Sequence, residues 1–107
     1  MSNFKSTMRK GFQMTFENGL TVSVQWGAGN YCDNHCPPDM DWTFTKDAQS
    51  TNAEVAVWNA AEVWANASDF LETSKVKFDP ECMGEPVGWL SANEVAQLIA
   101  NVAKWEG

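Results

Sequence analysis

The stretch that decides the fold is FQMTFENGLTVSVQW, residues 12–26. Apolar and polar residues alternate on both sides of Glu17-Asn18-Gly19, which is typical of two β-strands joined by a turn. A two-residue Asn-Gly turn would place the apolar side chains of the two strands on opposite faces of the hairpin. A three-residue loop places them on one face, in the pairs Phe16–Leu20, Met14–Val22 and Phe12–Val24.

We therefore predict a β-hairpin with a three-residue loop and with Gly19 as a left-handed bulge residue. The opposite face of this hairpin is polar, and we expect it to meet solvent. That second face consists of Gln13, Thr15, Thr21, Ser23 and Gln25.

Further strands are predicted downstream of the hairpin. Residues 42–46 alternate again and predict a third strand, and Ser50-Thr51-Asn52 predicts a turn. Residues 53–71 are ambiguous, because their alanines favour a helix whereas Val55, Val57 and Trp58 favour a strand. We predict a second hairpin with Asn59-Ala60-Ala61 as its loop, which pairs Val57 with Val63 and Val55 with Ala65.

A helix is predicted near the C-terminal end of the sequence. Ser91 and Glu94 have the spacing of a capping box, and Leu90 and Val95 that of a hydrophobic staple. The stripe of Val95, Leu98, Ile99 and Val102 is the apolar face of this helix. The predicted fold class is α+β: a small antiparallel β-sheet of about five strands, a meander of hairpins, packed against one C-terminal α-helix. Residues 1–107 are expected to form a single domain.

The distribution of charged residues along the chain indicates which kinds of partner it can bind. The chain has seven basic and 14 acidic residues, and three of the basic ones precede Gly11, so four bases (7 − 3) accompany all 14 acids from there on. Direct nucleic-acid binding is not expected of such a chain, although an acidic surface can also mimic DNA toward a basic protein groove. The sequence has no transmembrane stretch and no signal peptide in residues 1–10, which predicts a cytoplasmic protein that does not bind membranes.

The loop from residue 27 to residue 42 is the predicted binding surface. It is long and rich in turn residues, and such loops are often functional. Tyr and Trp contribute large apolar area with a polar group at interaction surfaces. The candidate contact residues for a protein partner or a small ligand are Asn30, Tyr31, Asn34, His35 and Trp42.

The same loop contains candidate metal ligands. Cys32, His35 and Cys36 lie within five residues, and Cys82 could complete a Cys₃His zinc site. Free or buried thiols remain the alternative, since an odd number of cysteines without an export signal does not indicate a disulfide framework. His35 is the only histidine, and it neighbours Cys36 in sequence, where side chains generally diverge. A cysteine or serine nucleophile therefore lacks a base, and we do not expect an enzyme.

Four segments together resemble small uncharacterised proteins encoded by bacteriophages and prophages. The segments are residues 12–26, Gly29-Asn30-Tyr31-Cys32, residues 53–58 and residues 90–99. The resemblance implies a host-cell cytoplasmic setting and a strand at residues 53–58, and it carries no established activity. The leading hypothesis is a non-enzymatic interaction protein of phage type acting through the 27–42 loop. The alternatives are a small zinc-stabilised structural protein and a small-ligand sponge for nucleotides or sugars. A homodimer through an exposed edge strand is a further prediction.

Overall fold

An antiparallel β-sheet and one α-helix form the fold in this computed structural model, which describes residues 2–7, 10–27, 30–32 and 49–107. The strands in these ranges pair in chain order, as a meander: β1 (Asn3–Ser6), β2 (Gly11–Thr15), β3 (Thr21–Gln25), β4 (Ala53–Trp58) and β5 (Val87–Leu90). A short 3-10 helix (Ala67–Leu71) precedes β5, and α1 (Ala92–Lys104) follows it. The predicted fold class, α+β with five antiparallel strands and a C-terminal helix, is confirmed. The strand predicted for residues 42–46 lies outside the described residues.

The first hairpin has the predicted register. Phe12 pairs with Val24 and Met14 with Val22. At the loop, the Phe16 amide donates to the Leu20 carbonyl at 2.8 Å, and the Gly19 amide donates to the Phe16 carbonyl at 2.9 Å. Gly19 has φ +89°, so it is the left-handed residue of a three-residue loop.

Gly19→Val is expected to lower the free energy of unfolding by about 1 kcal/mol or more, because a left-handed backbone is unfavourable for a β-branched residue. A Cβ at this position would lie 3.8 Å from that of Ala60, an ordinary contact, so crowding would not cause the loss. Gly19→Asn is the matched control, since Asn tolerates this conformation better. Urea unfolding measures both values. A neutral Gly19→Val, or equal losses in the two variants, would contradict the bulge.

The second hairpin exists, but its predicted register is wrong. Trp58 forms a bridge with Trp64, in place of the predicted pairs Val57–Val63 and Val55–Ala65. The Asn59 amide donates to the Val63 carbonyl at 3.0 Å and the Glu62 amide to the Asn59 carbonyl at 2.9 Å. The second loop thus has the same hydrogen-bond pattern as the loop of the first hairpin. It begins one residue later in the chain than the predicted loop, Asn59-Ala60-Ala61.

The Asn59 side chain explains this displacement. Its Oδ1 accepts hydrogen bonds from the amides of Ala61 and Val63, at 3.0 Å each, an arrangement that mimics a backbone turn. Asn59 therefore precedes the loop, and Glu62, with φ 62°, is the left-handed residue. Moving the loop by one residue places Trp58 and Trp64 opposite each other, on the second face of the sheet.

The second face is partly covered, contrary to the prediction that it meets solvent. Thr21 and Ser23 are buried, at 9% and 7% exposure. The covering residues are Trp58, Trp64 and Pro86, which line a groove together with polar side chains of β2 and β3. Pro86 is held there because the Gly84 amide donates to the Trp64 carbonyl at 2.8 Å and the Ala67 amide to the Glu85 carbonyl at 3.0 Å.

The C-terminal helix begins as predicted. The Ser91 side chain accepts from the Glu94 amide, and the Glu94 carboxylate accepts from the Ser91 amide, so the capping box is complete. Leu98 and Val102 are fully buried, and Val95 and Ile99 pack against the same core at half-burial. This stripe faces the 3-10 helix and strands β3 to β5, so the helix covers the apolar face of the sheet.

The loop of the first hairpin also contacts the C-terminal end of α1. The Asn18 side-chain amide donates to the carbonyls of Val102 and Trp105, at 2.9 Å each, and its Oδ1 accepts from the Leu20 amide at 3.0 Å. The last carbonyls of a helix have no partner within the helix. Asn18 supplies donors for them, which joins the first hairpin to the helix that covers it.

Candidate binding site

Tyr31 and Trp89 form an exposed aromatic pair. Their ring centroids lie 5.6 Å apart with an interplanar angle of 27°, a stacked arrangement. Tyr31 is 52% exposed and Trp89 is 55% exposed. Two adjacent aromatic rings that both remain open to solvent are typical of a surface that contacts another molecule.

A bulge in β5 places Trp89 beside Tyr31. Ala53 pairs with Leu90 and Val55 with Val87, so Gly88 and Trp89 both lie opposite Glu54. Trp89 has φ 53°, a left-handed conformation that costs a residue with a Cβ roughly 1–2 kcal/mol. Strained residues of this kind occur preferentially at functional sites.

Backbone contacts fix the position of Tyr31 on this bulge. The Trp89 amide donates to the Tyr31 carbonyl at 2.9 Å. A Cβ at Gly88 would lie only 2.6 Å from the Tyr31 Cβ, so the close approach of the two segments requires glycine there. The aromatic pair is thus held by the backbone as well as by ring stacking.

Two hydrogen bonds of the Asn30 side chain fix the backbone directly before Tyr31. Its Oδ1 accepts from the Gly27 amide at 3.0 Å, and its Nδ2 donates to a Glu54 carboxylate oxygen at 3.0 Å. Asn30 was a predicted contact residue, and the structure gives its amide these two partners within the chain. Because Asn30 directly precedes Tyr31, these bonds also tie the backbone that carries the Tyr31 ring to β4.

Of the predicted contact residues, the structure describes Asn30 and Tyr31. Asn34, His35 and Trp42 lie outside the described residues, as does most of the 27–42 loop. The sequence did not single out Trp89 as a contact. The signal that could have found it is Val-Gly-Trp-Leu at residues 87–90, where a glycine interrupts a short apolar run and suggests a bulge.

Trp58 and Trp64 form a second aromatic pair. Their ring centroids lie 5.6 Å apart with an interplanar angle of 21°. They lie on the second face and line its groove together with Asn30 and Glu54. The register of the second hairpin brings them together, which is why the sequence did not predict this pair.

Cys32 and Cys82 have different environments. Cys32 is buried, with Sγ 3.6 Å from the Gly27 carbonyl oxygen, whereas Cys82 is exposed, and both thiols are free. Within the described part of the chain, no three histidine, cysteine or acidic side chains are close enough to hold a metal ion. His35 and Cys36 lie outside that part, so the zinc site of Cys32, His35, Cys36 and Cys82 stays a prediction.

Comparisons with protein-family models, curated proteins and solved structures found no match. Among the described residues, no helix has the length and apolar character needed to cross a membrane.

Proposed function

We propose that this chain is a non-enzymatic binding protein of phage type that holds a host protein through Tyr31 and Trp89. The observation that carries the proposal is the exposed stack of these two rings on the strained bulge of β5. Trp89 has a left-handed backbone, yet its side chain is 55% exposed. Burial in the chain's own core therefore does not account for its conformation.

The energetics of the aromatic pair suit a protein interface. A Trp or Tyr side chain buries about 150–250 Å² when it is covered. Such residues dominate the affinity of many interfaces, with losses of roughly 2 kcal/mol or more on truncation to Ala. The rings are already stacked, and a backbone hydrogen bond from the Trp89 amide to the Tyr31 carbonyl joins the segments that carry them. Little side-chain freedom is therefore lost when a partner covers the rings.

The charge of the chain indicates the chemistry of the partner. A chain with 14 acidic and seven basic residues attracts proteins whose contacting surface is basic. An acidic residue also lies beside the aromatic pair, since Glu54 is opposite Trp89 in the sheet. The partner is therefore a host protein with an apolar contact patch and basic residues around it, and its association rate falls as salt rises.

Tyr31→Ala and Trp89→Ala are each expected to weaken partner binding by about 30-fold or more, the equivalent of 2 kcal/mol. A pull-down from bacterial lysate with the wild-type chain identifies the partner, and calorimetry with the purified partner measures each affinity. Phe4→Ala is the matched control, since Phe4 is 78% exposed and lies on β1. Equal affinities for wild type, both variants and the control would rule out the aromatic pair as the contact.

A further inference from the structure

The groove on the second face is a small cleft of mixed polar and apolar lining, and neither Tyr31 nor Trp89 lines it. Gln13, Ser23 and Ala56 are register neighbours on β2, β3 and β4 and form its floor. Trp58, Trp64 and Pro86 form one side of it. Its volume is about 280 Å³, near the lower end of ligand-binding clefts, so an occupant is small.

Polar side chains at the other side of the groove are held in place by one another. The Gln25 Nε2 donates to the Ser23 hydroxyl at 3.1 Å, and the Asn30 Nδ2 donates to Glu54 at 3.0 Å. Side-chain amides both donate and accept hydrogen bonds, and carboxylates accept them. This mixture suits alcohol groups, which also donate and accept from one atom.

The charge of the groove excludes anionic occupants. Of the described residues that line it, Glu54 is the only charged one, and the chain as a whole carries a formal charge of −7. Lys5 is the register neighbour of Gln13 on β1, but it lies beyond the lining. A phosphate or carboxylate would meet Glu54 without a compensating cation, which is unfavourable at this range.

The tryptophan pair adds an apolar wall of a particular shape. Two stacked indoles cover each other's inner faces and leave a flat surface only at an outer ring face, and the same two residues also line a neighbouring depression with Glu62. The C–H groups on one face of a pyranose ring pack on such a surface, while the ring hydroxyls point outward to polar neighbours. The flat aromatic wall, the side-chain amides and hydroxyl in the lining, and the absence of a cation in the described lining together match an uncharged polyol ring.

We propose that the groove over β2, β3 and β4 binds a neutral saccharide, with one sugar ring packed on an outer face of the Trp58–Trp64 stack and its hydroxyls bound by Gln13, Gln25 and Glu54. Apart from Glu54, the site uses different side chains from the proposed protein contact, and neither Gln13 nor Trp64 belongs to that contact, so either proposal can fail without the other. Ser23, buried beneath the groove, accepts the Gln25 hydrogen bond and so fixes the position of the Gln25 amide.

Saturation-transfer NMR and calorimetry test this with glucose, galactose, mannose, N-acetylglucosamine and their β-linked disaccharides. We expect at least one to bind saturably, with the strongest transfer to the ring C–H protons. Gln13→Leu and Trp64→Phe are expected to weaken binding about fivefold or more, the equivalent of one hydrogen bond or one packed ring. Trp64→Phe keeps an aromatic ring, and thermal unfolding of each variant shows that it is folded.

Phe4→Ala is again the control, and its saccharide affinity should equal that of the wild type. Adenosine and AMP serve as contrasting probes, since they would stack on the tryptophans without presenting a pyranose ring. The proposal is overturned if no saccharide binds saturably, or if adenosine binds in their place. It is also overturned if folded Gln13→Leu and Trp64→Phe bind the saccharide as tightly as the wild type.

Discussion

Phe70→Ala should lower the free energy of unfolding by about 3–5 kcal/mol, the range for removing a buried Phe. Phe70 is fully buried within the 3-10 helix and belongs to the core between that helix, the sheet and α1. Its ring lies against that of Phe78, with centroids 6.4 Å apart. Truncation leaves a cavity that neighbouring side chains fill only in part.

The backbone of Phe70 adds to the effect. Its carbonyl accepts a hydrogen bond of 2.7 Å from the Asn101 side-chain amide, and both groups are buried. If the 3-10 helix shifts to fill the cavity, this amide loses its partner, which costs about 1–3 kcal/mol. Native proteins of ordinary stability have only about 5–15 kcal/mol in total. The variant is therefore best measured at roughly 10–20 °C, where folded proteins are typically most stable.

Phe4→Ala makes the same chemical change at a surface site, because Phe4 is 78% exposed. Its effect on the free energy of unfolding should stay within about 0.5 kcal/mol. Urea unfolding followed by tryptophan fluorescence compares the two variants directly. Similar losses for Phe70→Ala and Phe4→Ala would mean that the 3-10 helix does not pack in the core as described.

Gly84→Ala should lower the free energy of unfolding by about 3 kcal/mol, at the upper end of the range for overpacking. A Cβ on Gly84 would lie 2.1 Å from the Ala65 carbonyl carbon and 2.2 Å from the Asn66 nitrogen. These are backbone atoms, so no side-chain rotation relieves the overlap. The two segments must separate, which breaks the hydrogen bonds from Gly84 to Trp64 and from Ala67 to Glu85.

Met83→Ala tests whether this effect belongs to Gly84 itself. Met83 is 58% exposed and precedes Gly84, so its truncation should change stability by no more than about 0.5 kcal/mol. Chemical unfolding gives both values. A Gly84→Ala variant as stable as Met83→Ala would show that residues 64–67 and 84–86 do not touch as described. Because those segments carry Trp64 and Pro86, Gly84→Ala should also weaken the binding of any ligand in the groove.

Structural features that depend on residues close together in the sequence could be predicted from it. The register of the first hairpin followed from keeping its apolar side chains on one face, and the start of α1 followed from Ser91 and Glu94. Each depends on residues at most a few positions apart, or on a strict alternation. The fold class followed from these two elements together.

Features set by contacts between distant segments could not be predicted. The second face was predicted to meet solvent because its residues are polar. Trp64 lies on it because the register of the second hairpin differs from the predicted one, and Pro86 lies on it from a segment that the sequence did not predict as a strand. β1 has only four residues, and the pattern of β5 is broken by its bulge. Tyr31 was predicted as a contact from its residue type, but its stacking on Trp89 depends on that bulge and on the approach of the chain at Gly88.

The Asn18 hydrogen bonds impose an order on folding. They join residues that are 84 and 87 positions apart, whereas the hairpin and the helix each form from local interactions. Closing so long a loop is entropically expensive and slow compared with forming either element. The Asn18 side chain therefore reaches the helix end only when the sheet has brought the two segments together. We expect the junction between hairpin and helix to form late in folding, and to be among the first parts of the molecule to open when the chain unfolds.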